Sequence, residues 1–434
     1  MFALYNILLM IVALFAVPYY GVKMLLTGKY RKSLGPKFGF VRRDELPVPQ
    51  GSPRIWVHAV SVGEVTAAAP IVACLRSDLP EACIVLSTST ETGQEAARRL
   101  IPEAMSTIYY PLDVPFVVRK VLGRIRPDIF VTTETELWPN FLRIAGGMGV
   151  KIVIVNGRIS PRSYRKYNIT RFFWREVLRL VDRAGMISAV DAGRLRALGM
   201  DGDKVHILGN AKYDSLAAKT SRQLPEAMAA KLGIAADERV FVAGSTQKGE
   251  EQVVLNVYRR LLATCPDLLL VIAPRHIERS RAVTALAKGA GFEDAVALSE
   301  IAGGRLRRGD RVIVVDVMGE LFALYGLATV VFCGGSLVPK GGQNILEPAA
   351  WGKVVFYGPS MEDFSNEKVL LEEAGAGVTV KNGDELLGGI LSLLGHPEDL
   401  AGRGERGRAV VVANRGAARR YADLIRESLQ RATR

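Results

Sequence analysis

The chain has 434 residues, enough for two or three domains that each bury a core. Its composition is that of a globular α/β protein, and its four scattered cysteines favour reduced core thiols over disulfides or metal ligands. The net charge of +13 indicates an anionic partner. Because zinc-finger spacing and a basic, aromatic RNA-binding signature are both missing from the sequence, it favours a negatively charged membrane over nucleic acid.

The amino-terminal stretch predicts a membrane anchor. Residues 2–22 carry no charge and are long enough to cross a bilayer, although a segment lying in the interface is the alternative. No signal-peptide cleavage site follows, and no acid occurs before Asp44. The chain after residue 22 is therefore expected on the cytoplasmic face of the inner membrane, held against anionic lipids by a basic cluster. This cluster comprises Lys23, Lys29, Arg31, Lys32, Lys37, Arg42 and Arg43.

From residue 54 onwards, short β-branched runs alternate with stretches of helical length. This alternation is typical of a parallel sheet covered by helices. The candidate strands of the first half are 54–60, 84–89, 129–132, 152–156, 185–189 and 206–208. Those of the second half are 240–243, 268–273, 312–315, 330–333, 354–357 and 377–380.

The pattern predicts an α/β protein with two Rossmann-like domains in tandem. The anchor and the start of the basic segment occupy 1–28, the first domain 29–215 and the second 226–414. Around residues 210–225 the alternation lapses into polar residues, which we interpret as a linker. Residues 415–434 predict an arginine-rich amphipathic helix that packs back on the first domain.

In parallel sheets, ligands bind beyond the carboxyl ends of the strands, so the loops there are the candidate site. Glu64 follows the first strand at a helix start, where the helix dipole favours an ionised carboxylate that can act as a general base. An ordinary first-turn glutamate is the alternative. Thr88 and Thr90 belong to a run of hydroxyl residues that either binds a sugar or phosphate or caps a helix.

Two carboxylates follow the third candidate strand. Glu134 and Glu136 lie beside Trp138, and paired carboxylates can share acid/base or hydroxyl-binding work. A solvated loop is the alternative, and the neighbouring tryptophan makes it less favoured, because large aromatic side chains are seldom left exposed without a use.

Strand ends in the second half carry groups suited to an anion. Ser245 ends one strand, Pro274 and Arg275 end the next, and Met318 and Gly319 follow a third. Arginine pairs well with phosphate or carboxylate, and a helix beginning at Gly319 offers free N–H groups. The convergence of these loops predicts an anion and sugar site.

The glycine-rich stretch 334–351 follows a buried strand, and a helix is expected to begin within it, between residues 344 and 348. Its two glycine pairs allow the backbone to approach a ligand. Asn344 and Glu347, three residues apart, are candidates to bind sugar hydroxyls. A capping box is the alternative interpretation, which Pro348 weakens because proline is best tolerated at the first helical position.

Taken in order, these loops resemble those of the 3-deoxy-D-manno-octulosonic acid (Kdo) transferases of lipopolysaccharide synthesis. The matching stretches are Ser61-Val62-Gly63-Glu64, residues 133–140 (TETELWPN), residues 210–214 (NAKYD), residues 273–276 (APRH), residues 318–321 (MGEL) and residues 341–348 (GGQNILEP).

The resemblance implies a GT-B glycosyltransferase with CMP-Kdo as donor and a lipid A precursor as acceptor. Glu64 stands where the family has its catalytic base. On the donor side the resemblance implies Lys212, Ser245, Pro274, Arg275, Met318, Gly319, Asn344 and Glu347. On the acceptor or sugar side it implies Thr88, Thr90, Glu134 and Glu136.

CMP-Kdo carries one phosphate and one carboxylate, so a metal that bridges a diphosphate is not required, and the sequence holds no Asp-x-Asp metal motif. We therefore expect neither a metal nor a cofactor. Three alternatives remain: a GT-B enzyme that uses a UDP-sugar, a membrane-tethered binding protein without activity, and an epimerase of related fold.

Overall fold

The computed structural model describes residues 1–27, 31–41, 51–221, 223–235, 237–302 and 311–430. The chain forms two compact units. The first unit comprises Met1–Ser215 together with Asn414–Arg434, and the second unit comprises Leu216–Ala413. The predicted domains place the boundary in the same part of the chain, but residues 1–27 belong to the first unit rather than to a separate segment.

The first unit is built on a parallel sheet of seven strands. The strands are β1 (Arg54–His58), β2 (Cys83–Thr88), β3 (Ser106–Tyr109), β4 (Ile129–Thr133), β5 (Lys151–Gly157), β6 (Arg183–Met186) and β7 (Val205–Ile207). Their order across the sheet is β3-β2-β1-β4-β5-β6-β7, so the chain reverses its direction of growth between β1 and β4. Such a reversal opens a crevice at the carboxyl ends of the two strands, where α/β proteins bind ligands.

Helices cover both faces of this sheet. The helices of this part of the chain are α1 (Phe2–Thr27), α2 (Arg31–Lys37), α3 (Val62–Asp78), α4 (Glu91–Leu100), α5 (Pro115–Ile125), α6 (Pro139–Gly147), α7 (Pro161–Ile169), α8 (Arg171–Leu178), α9 (Ala189–Ala197) and α10 (Lys212–Lys219). The last of these, α10, runs across the boundary between the two units. Along β1, Trp56 faces one hydrophobic cluster, whereas Ile55 and Val57 face the other, as the two-residue period of a strand requires.

The second unit repeats this plan. Its strands are β8 (Val240–Thr246), β9 (Leu269–Pro274), β10 (Val296–Ala297), β11 (Val312–Val314), β12 (Val330–Cys333), β13 (Val355–Tyr357) and β14 (Gly377–Thr379). They form a parallel sheet in the order β10-β11-β9-β8-β12-β13-β14, with the reversal between β8 and β12.

The helices of the second unit follow its strands in the same alternation. They are α11 (Gln223–Leu232), α12 (Glu250–Leu261), α13 (Ser280–Gly289), α14 (Leu298–Ala302), α15 (Leu321–Leu327), α16 (Leu346–Ala350), α17 (Ser365–Glu373), α18 (Gly383–Leu394) and α19 (Pro397–Ala413). The boundary between the two units, at Ser215 and Leu216, lies within the stretch 210–225 that we interpret as a linker, and most of this stretch is helical because α10 and the start of α11 occupy it.

The last helix, α20 (Ala417–Gln430), lies in the first unit. Asp214 accepts the backbone N–H of Gly416 at 2.7 Å and of Ala418 at 3.0 Å, and so caps the start of α20. The Tyr421 hydroxyl donates to the carbonyl of Gly209 at 2.6 Å. Asp214 ends the stretch 210–214 that the resemblance singled out, so part of that motif is structural.

The amino-terminal segment is the long helix α1. Within the described ranges, no helix combines the length and the apolar character that crossing a membrane requires. Apart from Lys37, the side chains of the predicted basic cluster lie outside the described part of the chain. Lys37 packs against the first unit, with its Nζ 5.8 Å from the ring centre of Tyr109.

Candidate active site

The crevice between β1 and β4 brings three of the predicted carboxylates into one place. Glu64 lies in the first turn of α3, which follows β1, and Glu134 and Glu136 lie in the loop that follows β4. Because β1 and β4 are hydrogen-bonded neighbours, their carboxyl ends meet. Thr133, the last residue of β4, joins the two loops, because its Oγ1 lies 3.1 Å from Glu64 Oε2.

Glu64 is held in a defined position by its hydrogen bonds. The residue is only 6% exposed. Its Oε2 accepts the backbone N–H of Val60 at 2.9 Å, and its Oε1 accepts the Ser61 hydroxyl at 3.3 Å. A methyl group built at Gly63 would have Ser61 Oγ as its nearest described neighbour, at 3.9 Å. Packing within the described residues therefore does not require the glycine, whose missing side chain keeps the approach to α3 open.

The electrostatics of the site favour a carboxyl that changes its protonation near neutral pH. Burial and, to a smaller extent, the nearby charges of Glu134 and Glu136 raise the pKa of Glu64 to about 7, against the opposing effect of the hydrogen bonds from Val60 and Thr133. Burial also raises the pKa of Glu136, and the charge of Glu134 adds to this effect. A solvated surface glutamate would show none of these features, so the alternative of an ordinary first-turn glutamate is not favoured.

Glu134 adopts a left-handed backbone with φ 55°, an uncommon conformation for a residue with a side chain. Its Oε1 lies 3.2 Å from Lys212 Nζ, with both side chains about one-quarter exposed. Lys212 was expected to contact the donor, and the structure places it in the first unit as the partner of Glu134.

The two predicted threonines have structural roles. Thr88 is fully buried in β2, and its hydroxyl donates to the carbonyl of Thr90 at 3.3 Å. Thr90 is the N-cap of α4, where its Oγ1 accepts the N–H of Gly93 at 3.0 Å. The helix-capping alternative therefore describes Thr90, and contact between Thr88 and an acceptor is not supported.

In the second unit, the predicted donor residues lie at the carboxyl ends of four adjacent strands. These strands are β11, β9, β8 and β12 in the order of the sheet. Arg275 follows β9 and is exposed, and its backbone N–H donates to Thr246 at the end of β8, at 2.9 Å. Ser245, half-buried on β8, adopts a left-handed backbone with φ 55°.

The other predicted donor residues on these strands differ in exposure. Met318 is 79% exposed after β11, and Gly319 beside it has φ 91°. Pro274 ends β9 and is half-buried. Met318 and Gly319 are therefore both accessible in the loop after β11.

The first glycine pair of the stretch 334–351 is occupied by a buried carboxylate. Glu250, 1% exposed in the first turn of α12, accepts the N–H of Gly335 at 2.7 Å and those of Ser336 at 3.0 Å and Leu337 at 2.9 Å. A Cβ at Gly334 would lie 2.5 Å from the Cα of Thr246. These N–H groups are therefore used to shape the loop, and they are already hydrogen-bonded within the protein.

Asn344 and Glu347 contact each other at the start of α16. Asn344 Nδ2 donates to Glu347 Oε1 at 3.1 Å, and Asn344 Oδ1 accepts the N–H of Leu346 at 3.2 Å. The N-cap is Ile345, and Pro348 is the third residue of the helix, so the arrangement is not a capping box. Both polar side chains remain half-exposed at the carboxyl edge of the sheet, as a ligand contact requires.

Sequence reasoning did not assign three residues that shape these sites. Thr133 belongs to the motif at residues 133–140 but has no predicted role of its own, and Glu250 has no predicted role. Asp113 was missed because β3, which precedes it, was not predicted. The only signal for Asp113 in the sequence is that a polar residue lies between the candidate strands 84–89 and 129–132.

Comparison with known proteins finds the family that the sequence motifs indicate, over nearly the full length of the chain. A family model for 3-deoxy-D-manno-octulosonic-acid transferase (kdotransferase) matches residues 32–215. The 3-deoxy-D-manno-octulosonic acid transferase of Haemophilus influenzae is 32% identical over 98% of this chain and 98% of its own length. The protein of the same name from Chlamydophila psittaci is 31% identical over 93% of this chain and 91% of its own.

Solved structures show the same fold at lower identity. A UDP-GlcNAc 2-epimerase from Neisseria meningitidis superposes with a TM-score of 0.60 at 12% identity, covering 87% of this chain and 100% of that one. A glycosyltransferase from Rickettsia africae gives 0.56 at 18% identity, covering 87% and 98%. Both likenesses concern the GT-B-like fold alone. The full-length sequence relatives go further, and on their evidence the chain belongs to the 3-deoxy-D-manno-octulosonic acid transferase family and is a glycosyltransferase.

Proposed function

We propose that this enzyme transfers Kdo from CMP-Kdo to a lipid A precursor in lipopolysaccharide synthesis, with inversion and with Glu64 as the general base. The observation that carries the proposal is the buried Glu64 carboxyl at the β1/β4 crevice, whose pKa is raised to about 7. A general base works best when its pKa lies near the working pH, because it is then partly ionised and still basic enough to take a proton.

The proposed reaction is a single displacement. Glu64 takes the proton of a sugar hydroxyl of the acceptor, and that oxygen forms a bond to the anomeric carbon of Kdo. The bond from this carbon to the phosphate oxygen of CMP breaks, and its electron pair leaves with CMP. Burial, together with the neighbouring charges of Glu134 and Glu136, keeps the pKa of Glu64 high, so that it holds the transferred proton until release.

The second unit is proposed to bind the donor. Arg275 is exposed and makes no ion pair with any described residue, so its guanidinium is available to pair with the CMP phosphate. Asn344 and Glu347 present an amide and a carboxylate suited to ribose hydroxyls. Ser245, Pro274, Met318 and Gly319 line the same strand ends and are proposed to complete the site.

The Glu134 and Lys212 pair is proposed to bind the acceptor in the first unit. The Glu134 carboxylate and the Lys212 ammonium lie 3.2 Å apart. The carboxylate can accept a hydrogen bond from a sugar hydroxyl, and the ammonium can pair with a lipid phosphate. Because Lys212 lies beside Glu134, we assign it to the same ligand as Glu134.

The enzyme is further proposed to work at the cytoplasmic surface of the inner membrane, with α1 lying in the lipid interface. This proposal is supported by the exposed apolar surface of α1, which is formed by side chains that are 50–72% exposed. They are Leu4, Ile7, Leu8, Met10, Ile11, Val12, Leu14 and Phe15.

Helices α7 and α8 add a basic surface to this proposed membrane face. Residues 158–179 contain seven basic residues and one acid, Glu176. Ile169 and Phe172 at their junction are 81% and 66% exposed. Phe173 on α8 contacts Tyr5 of α1, with ring centres 5.8 Å apart, so the two surfaces adjoin. Basic residues around exposed apolar side chains suit anionic lipids.

The test is a transfer assay with the full-length protein in mixed micelles. CMP-Kdo and a tetraacylated lipid A precursor are supplied, and mass spectrometry detects and counts the added Kdo residues. Parallel reactions contain a UDP-sugar in place of CMP-Kdo. Glu64→Gln is expected to lower turnover by about 10²- to 10⁴-fold, the usual contribution of a general base. Transfer from the UDP-sugar alone would replace the donor assignment, and near-normal turnover of Glu64→Gln would remove Glu64 from its role.

A further inference from the structure

We propose that α1 is a positioning element of the loop 134–138, and that Tyr5 and Asn6 are the positioning residues through which it acts. This inference rests on the proposed function, in which that loop binds the lipid acceptor. It goes beyond membrane attachment, because an attachment helix needs no fixed contact with the catalytic unit.

Helix α1 has two different faces. Its less exposed positions are Phe2, Tyr5, Asn6, Leu9 and Ala13. Their spacing of three, four, seven and eleven residues from Phe2 forms one stripe along a helix. Phe2 of this stripe packs against a core cluster of the first unit, whereas the strongly exposed apolar side chains of α1 lie outside the stripe.

The packed stripe carries the only two polar residues of the run 2–17, Tyr5 and Asn6. A helix that only inserts into lipid gains nothing from an asparagine, whose amide must then be desolvated without a partner. In the structure both polar groups have protein partners. The Tyr5 hydroxyl donates to Asp113 Oδ2 at 2.9 Å, and Asn6 Oδ1 accepts from Asn140 Nδ2 at 2.6 Å.

Asp113 and Asn140 are the residues that hold the start of α6. Asp113 accepts the N–H of Asn140 at 3.0 Å and that of Phe141 at 2.7 Å, and thereby satisfies two of the free donors at the helix start. Asn140 Nδ2 also donates to the Asp113 carbonyl at 2.7 Å. Asn140 and Asp113 are 0% and 4% exposed, so this junction is a built part of the core.

Helix α6 begins at Pro139, directly after the loop that carries Glu134 and Glu136. The backbone of this loop is fixed at its other end by the N–H of Glu134, which donates to Val155 at 3.0 Å. The loop therefore has two attachments, β5 at its start and the junction of Asp113 and Asn140 at its end. Tyr5 and Asn6 secure the second attachment, which links the membrane helix to the acceptor side of the site.

Apolar contacts keep α1 in register with this junction. The ring of Phe173 lies 6.0 Å from the ring of Phe2 and 5.8 Å from that of Tyr5. Arg143 of α6 lies 5.1 Å above the ring of Phe2. A Tyr5→Phe substitution therefore keeps the packing on Phe173 and removes only the hydrogen bond to Asp113.

The test compares the double variant Tyr5→Phe/Asn6→Ala with wild type as full-length proteins. The proposal expects vesicle binding to stay within about twofold, because the exposed face is unchanged. It expects kcat/KM for the lipid acceptor to fall about tenfold, because Glu134 and Glu136 are then held less accurately against the acceptor. The KM for CMP-Kdo is expected to stay unchanged. Unchanged kinetics for both substrates would overturn it.

Amide hydrogen exchange separates this proposal from a failure of the proposed function. Faster exchange confined to residues 134–142 in the double variant supports the coupling even if no Kdo transfer is found for wild type. Exchange that is unchanged there, or that rises equally throughout the sheet of the first unit, overturns it. Tyr19→Phe makes the same chemical change at an exposed site of α1, and Leu8→Ser/Ile11→Ser weakens the lipid face. Both controls are expected to leave exchange at 134–142 as in wild type.

Discussion

Thr133 Oγ1 lies 3.1 Å from Glu64 Oε2 and 2.9 Å from the carbonyl oxygen of His58. A hydroxyl has one hydrogen to donate, so the two acceptors compete for it. When Glu64 is ionised, Thr133 stabilises the carboxylate by donating to it. When Glu64 is protonated, the hydroxyl is free to turn to the His58 carbonyl. The Thr133 hydroxyl thus has an acceptor in both protonation states of the proposed general base.

Removing this hydroxyl is expected to make Glu64 harder to ionise. Thr133→Val keeps the shape of the side chain and deletes a hydrogen bond that lowers the pKa of Glu64. The activity of wild type is expected to rise with pH through about 7, because the base must be ionised. The midpoint of this rise should move to higher pH in Thr133→Val, as measured by kcat against pH. Thr133→Ser retains the hydroxyl and should keep the wild-type midpoint; an identical midpoint for Val and Ser would contradict the assignment.

Glu64 also makes a testable contribution to the pH dependence of stability. Its pKa is raised from 4.5 to about 7 in the folded state, so folding favours the protonated form. The cost of ionising it is absent below about pH 4.5 and grows as pH rises through 7, to about 3 kcal/mol at 1.36 kcal/mol per pKa unit. Glu64→Gln removes this cost, so its free energy of unfolding should exceed that of wild type at pH 8.

Urea denaturation between pH 5 and 8 measures the free energy of unfolding of wild type and of Glu64→Gln. The contributions of the other titrating groups largely cancel in the difference between the two proteins. The excess stability of Glu64→Gln should grow with pH. The exposed Glu95→Gln is the matched control, for which no such trend is expected. A Glu64→Gln variant that is less stable than wild type at pH 8 would show that the carboxylate is not held at a cost.

Most strands, and the neighbouring positions of the carboxylates, could be predicted from the sequence. Each of the twelve candidate strands overlaps an observed one, because buried parallel strands are continuous apolar runs. Glu64 and Glu134 could be placed together because carboxyl ends of parallel strands share one edge. The strands β3 and β10 were missed, since they lie toward the sheet edge and are only four and two residues long.

Contacts between distant parts of the chain left no local signal. Tyr5 and Asp113 are 108 residues apart, and neither position is distinctive in its own segment. The role of Glu250 has no local signal either, because the N–H donors of residues 335–337 are brought to its carboxylate by the pairing of β8 with β12. Such roles follow from the tertiary structure and not from spacing.

Glu250 is expected to be essential to the shape of the glycine-rich loop. Its carboxylate accepts three N–H groups of this loop and that of Gln247. Glu250→Gln offers one acceptor oxygen in place of two and turns an amide N–H₂ toward buried donors. We expect a loss of about 1–3 kcal/mol of stability, the cost of unsatisfied buried donors, together with weaker CMP binding. Urea denaturation and calorimetry measure both effects, with the exposed Glu398→Gln as control; a variant with wild-type stability would contradict this role.

Arg275 and Glu347 are expected to bind the donor while adding little to folding. Arg275 is exposed and Glu347 half-exposed, so Arg275→Ala and Glu347→Ala should each change unfolding free energy by less than about 1 kcal/mol. Arg275→Ala loses a charge-assisted hydrogen bond to phosphate, which corresponds to about a tenfold or greater increase in the Kd for CMP. Isothermal titration calorimetry with CMP measures it, and Arg281→Ala on α13 is the matched control with an exposed arginine. If Arg275→Ala and Glu347→Ala both bind CMP with wild-type affinity, the donor site lies elsewhere in the second unit or outside it.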